Sequence, residues 1–270
     1  MNITGPIKRV TKEILRRFGV GILRYSDLEN LRRDRVELKR NSSAAREIEF
    51  IRSLRDGNAD LLLKIWDKSK SQLRQDLFVL HHLGFKRNGF FVEFGASNGV
   101  DLSNTYLMER DFGWDGILAE PAKIWHKDLI NNRNCKINTD CIWKCSGSKI
   151  YYQQAATPEL STIKGFCDSD NHREARKNGT SYIVNTISLN DLLRTYDAPK
   201  NIDYLSIDTE GSEYEILSSW DFQEYTFEVI TCEHNYTWQR DKIFSLLVGR
   251  GYKRVFESFS LFDDWYVRVD

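Results

Sequence analysis

Acidic residues gather at two places in the second half of the chain. Asp208, Glu210 and Glu213 end the segment Ile202 to Glu213, which reads as a strand running into a turn and a helix. Glu233, His234 and Asn235 close a second apolar run, Phe227 to Cys232. Oxygen-rich strand ends can hold a divalent cation, and an imidazole of unperturbed pKa ~6.5 can take a proton near neutral pH. His234 is therefore a candidate general base, with Asp208 and Glu210 as candidate catalytic carboxylates; the alternative for His234 is a strand-end histidine fixed by hydrogen bonds.

Two earlier stretches have the chemistry of a binding site. Phe90 to Gly99 reads FFVEFGASNG: an apolar run containing Glu93, then glycines four apart at Gly95 and Gly99. The run suggests a buried strand, and the glycines suit a tight turn that approaches a ligand closely. Leu102 to Arg110 is predicted to be a helix whose first amides point back at that ligand. The spacing E-x-G-x-x-x-G does not fit the dinucleotide fingerprint G-x-G-x-x-G. Glu120 ends the next short apolar run, Gly116 to Pro121. An acid at the carboxyl end of a second parallel strand can accept from both hydroxyls of a ribose.

These residues need a framework of alternating strands and helices to bring them together. A helix carrying Leu73, Leu77, Leu80 and Leu83 leads into the Glu93 strand, and its polar face shows Gln72, Gln75 and Asp76. After the Glu120 strand come a helix at 122–131 and a third strand at Cys135–Asn138. Residues 146–190 are an insertion, with strands at 149–152 and 182–186. Between those strands, 168–181 is a polar stretch suited to an acceptor loop or lid. Past the Glu233 strand the tail alternates as a hairpin, with its turn at Asp263-Asp264.

Residues 1–70 form a separate, helical and charged extension. Ile7, Val10, Ile14, Phe18 and Ile22 recur at helical steps, and six basic residues against Glu13 give +5 over 1–25. This helix could lie on a membrane surface, dock a partner or a second copy of the chain, or simply cover its own domain.

Over all 270 residues Lys+Arg and Asp+Glu are both 39, so the net charge is zero. That balance argues against a nucleic-acid partner, which asks for a basic excess. Five cysteines with no C-x-x-C pair and no expected signal peptide read as reduced thiols in a cytoplasmic protein. No apolar run approaches the ~20 residues that span a bilayer.

Taken together, these motifs resemble the FkbM methyltransferases. The resemblance runs from about Ser71 to Asp270. It rests on Ser71-Gln72 with Gln75-Asp76, VEFGASNG at 92–99, Ser103-Asn104-Thr105, Gly116 to Pro121, DYLSIDTEGSE at 203–213, and Glu233-His234-Asn235. It implies an α/β class I methyltransferase (Rossmann-like) fold, a seven-stranded mostly parallel sheet with a C-terminal antiparallel hairpin, here behind the N-terminal helical extension. The implied domains are 1–70 and 71–270. S-adenosylmethionine is the implied cofactor, with Glu93, Gly95, Ala96, Ser97, Gly99, Ser103, Asn104, Glu120, Pro121, Asp140, Cys141 and Asp208 as its contacts. The implied reaction is methylation of a hydroxyl, most readily on a sugar or glycan acceptor of a surface polysaccharide, in the cytoplasm or at the inner face of the membrane. Asp208, Glu233 and Asn235 resemble the metal-holding strand ends of catechol and sugar O-methyltransferases, which implies Mg²⁺ or Mn²⁺ as a second route to catalysis beside His234. A small-molecule hydroxyl of polyketide type is the alternative acceptor, and a non-catalytic cofactor-binding scaffold the alternative role. A nicotinamide-dependent oxidoreductase would need a tighter glycine fingerprint and a second substrate domain.

Overall fold

The computed structural model of the chain describes residues 44–54 and 59–269. The expected basic helix of 1–25 and the helix after Ser26 lie outside the described residues. The chain divides into two compact units, Met1–Gly57 and Asn58–Asp270. In the first, residues 44–53 are helical. The second holds everything described below.

A seven-stranded sheet forms its centre. Phe90–Phe94 (β1), Asp115–Ala119 (β2), Lys136–Asn138 (β3), Asn201–Ile207 (β8) and Thr226–Glu233 (β9) run parallel to their neighbours. Tyr252–Val255 (β10) and Asp263–Arg268 (β11) add an antiparallel edge, giving the order β10-β11-β9-β8-β1-β2-β3. Near-continuous apolar runs are required of strands covered on both faces, and Phe91, Val92, Ile117, Leu118, Leu205 and Ile230 are all fully buried. At roughly 1.5–3 kcal/mol for each large side chain, these strands hold the sheet independently of the site at their carboxyl ends.

The insertion builds a second, four-stranded sheet, Cys141–Ile142 (β4), Thr180–Ile187 (β7), Lys149–Gln154 (β5) and Thr162–Ile163 (β6), in that order across it. Ser188 then caps the helix Leu189–Thr195 by accepting from the Asp191 N–H.

Three expectations are corrected. The helix predicted at Leu102–Arg110 starts only at Tyr106 and runs to Phe112 (α3), because the chain before it is drawn onto Glu93. The helix expected to carry Leu73 through Leu83 begins only at Gln75 and ends at His82 (α2). Arg74 takes a left-handed φ of 67°, and Ser71 forms an isolated parallel bridge with Leu102. Asp263 and Asp264 are strand residues, paired with Glu233 and Cys232, and no turn lies there. A short helix, Glu257–Ser260, fills the hairpin connection instead.

Gly95 follows β1 and packs against Asp208, the residue after β8. Its φ is 76°, and a Cβ on it would stand 2.0 Å from the Asp208 carbonyl oxygen. Gly99 is similar: its φ is 80°, and a Cβ would meet Leu129 and Arg133 side-chain atoms at 2.7 Å. Both glycines make room for the protein itself, and Gly95 also stands on the wall of the cavity described below. Gly95→Ala is expected to cost about 3 kcal/mol or more, lowering Tm by roughly 10 °C. A thermal melt within about 2 °C of the wild type would contradict the close approach.

Candidate active site

The carboxyl ends of β1, β2, β8 and β9 and the amino end of the antiparallel β11 open into one cavity of about 1050 Å³, counted with its mouth. The ends of parallel strands carry the loops, so side chains one residue past each strand converge there.

Glu93 lies at the base of this cavity, only 3% exposed. It accepts from Ser103 Oγ (3.0 Å), the Asn104 N–H (2.7 Å) and Thr105 Oγ1 (2.5 Å). Arg133 Nη1 lies 3.8 Å away. The same guanidinium donates to Glu109 (2.6 Å), the Gly99 carbonyl (3.0 Å), Ser103 Oγ (3.1 Å) and Thr105 Oγ1 (2.9 Å). Glu93 therefore anchors the turn, with its oxygens taken up by the chain. Arg133 escaped the sequence reading, because nothing local distinguishes it from the solvated basic residues nearby.

Glu120 follows β2 and is 4% exposed. Its Oε2 accepts from the Ser97 N–H (2.8 Å) and its Oε1 from the Ala122 N–H (2.7 Å). Burial pushes its pKa up to about 7, against those two amides. Each carboxylate oxygen has two lone pairs, so one on each remains for a vicinal diol in the cavity. Ala96, Ser97, Ser103, Asn104, Pro121 and Cys141 also stand on the wall, Cys141 with Ile142 beside it. Burial drives the Cys141 thiol up to about 12, so it offers an apolar surface. Gly99 and Asp140 are off the wall: the first is closed over by Arg133, and the second lies past β3 in the turn where its amide meets Asn138.

Asp208, Glu210 and Glu233 form a compact cluster, with one oxygen from each lying within 4.8 Å of the others. The register makes this unavoidable for two of them, since Ile207 pairs with Cys232 and the next residues are Asp208 and Glu233. Glu210 reaches them through a left-handed φ of 57°, in a turn that Glu213 fixes by accepting from Thr209 N–H (2.9 Å), Thr209 Oγ1 (3.0 Å) and Gly211 N–H (3.0 Å). Burial raises Asp208 to about 7 and, together with the Asp208 charge, Glu210 to about 9. Glu233 is raised well above its usual range for the same two reasons. Arg176, from the polar stretch of the insertion, donates to Glu210 Oε2 (2.8 Å) and in bidentate fashion to Asp170 (2.8 and 2.9 Å). Asn235 was expected as a metal ligand, but its amide nitrogen points at the acids, donating to Glu233 Oε2 at 2.8 Å. The third oxygen of the cluster belongs to Glu210.

His234 is corrected as well. It is off the cavity wall, with its side chain 1% exposed. Its Nδ1 accepts from the Tyr236 N–H (2.9 Å), and its Nε2 lies 3.7 Å from Asp264, which Arg240 and Arg254 also hold. Burial, aided by the two arginines, pushes its pKa down to about 4. Strand alternation explains this: with Glu233 turned into the cavity, the next side chain turns away. Because the unfolded chain takes up the proton near 6.5, the stability from neutral His234 is complete above that pH and is lost as pH falls toward 4. The full loss is about 3 kcal/mol. Going from pH 7 to pH 4.5 in denaturant unfolding should cost the wild type about 2–3 kcal/mol more than His234→Gln, since the raised acids such as Glu120 and Glu210 act in the opposite direction and equally in both proteins.

The Methyltransferase FkbM domain family matches residues 93–266, which include Glu93, Glu120, the whole acid cluster and Asp263. Among solved structures, the chain is similar to a precorrin-6y C5,15-methyltransferase from Geobacter metallireducens: 12% identity, 67% of this chain and 71% of that one, TM-score 0.35. It is also similar to a putative RNA methyltransferase from Pyrococcus horikoshii: 11% identity, 73% and 83% covered, TM-score 0.39. A putative sarcosine dimethylglycine methyltransferase from Galdieria sulphuraria gives 14% identity, 68% and 63% covered, TM-score 0.31. No curated protein matches the sequence. The assignment rests on the domain match, which spans well over half the chain: this protein belongs to the FkbM methyltransferase family and is an S-adenosylmethionine-dependent methyltransferase of Rossmann-like fold.

Proposed function

We propose that the protein methylates a hydroxyl group, on a sugar of a surface polysaccharide or glycoconjugate, with the acid cluster as its reacting centre. The observation that carries this reading is that Asp208, Glu210 and Glu233 open into the same cavity as Glu120. A sugar hydroxyl is a poor nucleophile while it keeps its proton, so a proton acceptor or a cation must stand beside it. The cluster can supply either.

The cavity suits S-adenosylmethionine. Glu120 presents two oxygens for the ribose, Cys141 and Ile142 an apolar surface for the adenine, and the carboxylate-bearing wall a match for a cationic ligand. When bound, the cofactor supplies a methyl group on a positively charged sulfur. The chain's own part is to hold the accepting oxygen in line with that methyl, roughly 3 Å away, and to take its proton. Asp208, brought to about 7 by burial, has a proton affinity suited to this near neutral pH. Arg176 fixes Glu210 in place from the insertion side. Mg²⁺ or Mn²⁺ would be held by Asp208, Glu210 and Glu233 together, where its charge would favour the deprotonated hydroxyl. Among the described residues, no helix is long and apolar enough to cross a membrane.

The deciding experiment incubates the protein and labelled S-adenosylmethionine with sugars in free, lipid-linked and nucleotide-linked forms; label in an alkali-stable methyl ether supports the reading. Glu120→Ala should weaken cofactor binding about 100-fold in calorimetry, the equivalent of two buried hydrogen bonds. Unchanged affinity would remove Glu120 from the ribose. Asp208→Asn should lower turnover by at least ~100-fold while cofactor affinity stays within about threefold. For the cation, turnover indifferent to both a chelator and added Mn²⁺ would leave the carboxylates acting alone.

A further inference from the structure

Beyond the acid cluster, the cavity wall carries a buried carboxylate that none of the roles above uses. Asp263 is 3% exposed. Its Oδ2 accepts from Gln75 Nε2 (3.0 Å) and Trp265 Nε1 (3.1 Å). Its Oδ1 has no hydrogen-bond partner among the described residues. Gln75 is itself 4% exposed and fixed at its other end, where Oε1 accepts from the Leu73 N–H (2.9 Å). A rigid, buried oxygen without a donor costs roughly 1–3 kcal/mol, more if charged, and on the wall of a cavity a ligand can supply that donor.

Its place in the sheet says which ligand. Asp263 pairs with Glu233 across β11 and β9, whereas Glu120 stands beyond β8 and β1, at the end of β2. The acid cluster lies between them. Asp263 is thus on the far side of the reacting centre from the ribose-binding acid, where the acceptor must enter.

Charge narrows the acceptor further. No Lys, Arg or His stands on the cavity wall among the described residues, and its charged side chains are all carboxylates. Glu93 and Glu210 have buried arginines behind them, but both Oδ2 partners of Asp263 are neutral N–H groups. A phosphate or carboxylate brought to this wall would lose its water and find no cation to replace it, at a cost of several kcal/mol.

We propose that Asp263, positioned by Gln75 and Trp265, binds the methyl acceptor by receiving a hydrogen bond from a hydroxyl or amino group beside the methylated position, and that the part of the acceptor entering the cavity is a neutral or amine-bearing polyol without phosphate or carboxylate. The inference rests on the acid cluster being the reacting centre of a hydroxyl methyltransferase.

The test is saturation-transfer NMR on the full chain loaded with S-adenosylhomocysteine, with methyl glucoside, glucosamine, glucuronate and glucose 6-phosphate as probes. The two uncharged or amine-bearing sugars should bind at least about tenfold more tightly than the two anions. Asp263→Asn keeps an oxygen for Gln75 and Trp265 but turns a donor toward the cavity. It should weaken glucosamine binding by about tenfold, relieve the discrimination against the anions, and leave S-adenosylhomocysteine affinity within about threefold by calorimetry. A melting curve on the same variant reports that it is folded, and Gln75→Leu provides a second, weaker perturbation by removing one of the two donors that hold Asp263 through Oδ2. Anions bound as well as glucosamine, no sugar bound at all, unchanged glucosamine binding in Asp263→Asn, or an equal loss of S-adenosylhomocysteine affinity would each overturn the proposal. Label transfer run in parallel separates the two readings. Selective binding without any transfer removes hydroxyl methylation and leaves the subsite; transfer to glucuronate removes the subsite and leaves hydroxyl methylation.

Discussion

The Glu93 carboxylate, carried by a strand buried on both faces, imposes a constraint on everything built around it. A carboxylate taken out of water must be matched by charge and by hydrogen bonds. Here the match comes from two hydroxyls, a backbone amide and the guanidinium of Arg133. Those partners belong to a continuous segment, Ser103 to Thr105, and to one residue just past a helix. Satisfying Glu93 therefore fixes where α3 begins, how the glycine turn lies and why Gly99 has no Cβ to spare. Removing one member of such a buried set leaves the others uncompensated, typically at 3–5 kcal/mol. The network is a structural requirement first, and it places Asn104 and the Gly95–Ser97 turn on the cavity wall as a consequence.

Arg176 plays the corresponding part on the opposite wall. It is buried, anchored to Asp170 and to the carbonyls of Leu160 and Cys167, and it presents one N–H to Glu210. Thr162, from the same insertion, donates to the Glu210 carbonyl. The polar stretch expected as a loop or lid thus contributes an internal strut to the acid cluster. Beside these two arginine-backed acids, four carboxylates on the cavity wall have no buried cation of their own: Glu120, Asp208, Glu233 and Asp263. Their burial is expensive in the folded protein and becomes favourable when hydroxyls, an amine or a cation arrive.

Much of this was legible in the chain. A run such as Phe90–Phe94 excludes an exposed position, and acids ending three such runs mark one edge of a parallel sheet. Glu120, Asp208 and Glu233 were found this way, and the family's motifs added the order of the strands. The misreadings share a cause. Local pattern gave Leu102–Thr105 to a helix, Asp263-Asp264 to a turn and His234 to the active centre. In each case the deciding partner was far away in sequence: Glu93, Glu233 and Asp264.

The sequence by itself determined the element types, the parallel sheet and the identity of the strand-end acids, since apolar periodicity and turn residues act over a few neighbours. Only the tertiary structure decided how those acids divide their work. Arg133, Arg176 and Gln75 reach across 40, 34 and 188 residues to Glu93, Glu210 and Asp263 respectively. Whether a carboxylate is neutralised by the protein or left for a ligand depends on those long-range partners, because charge in a buried site is governed by what stands within a few ångströms and hardly at all by what lies next along the chain.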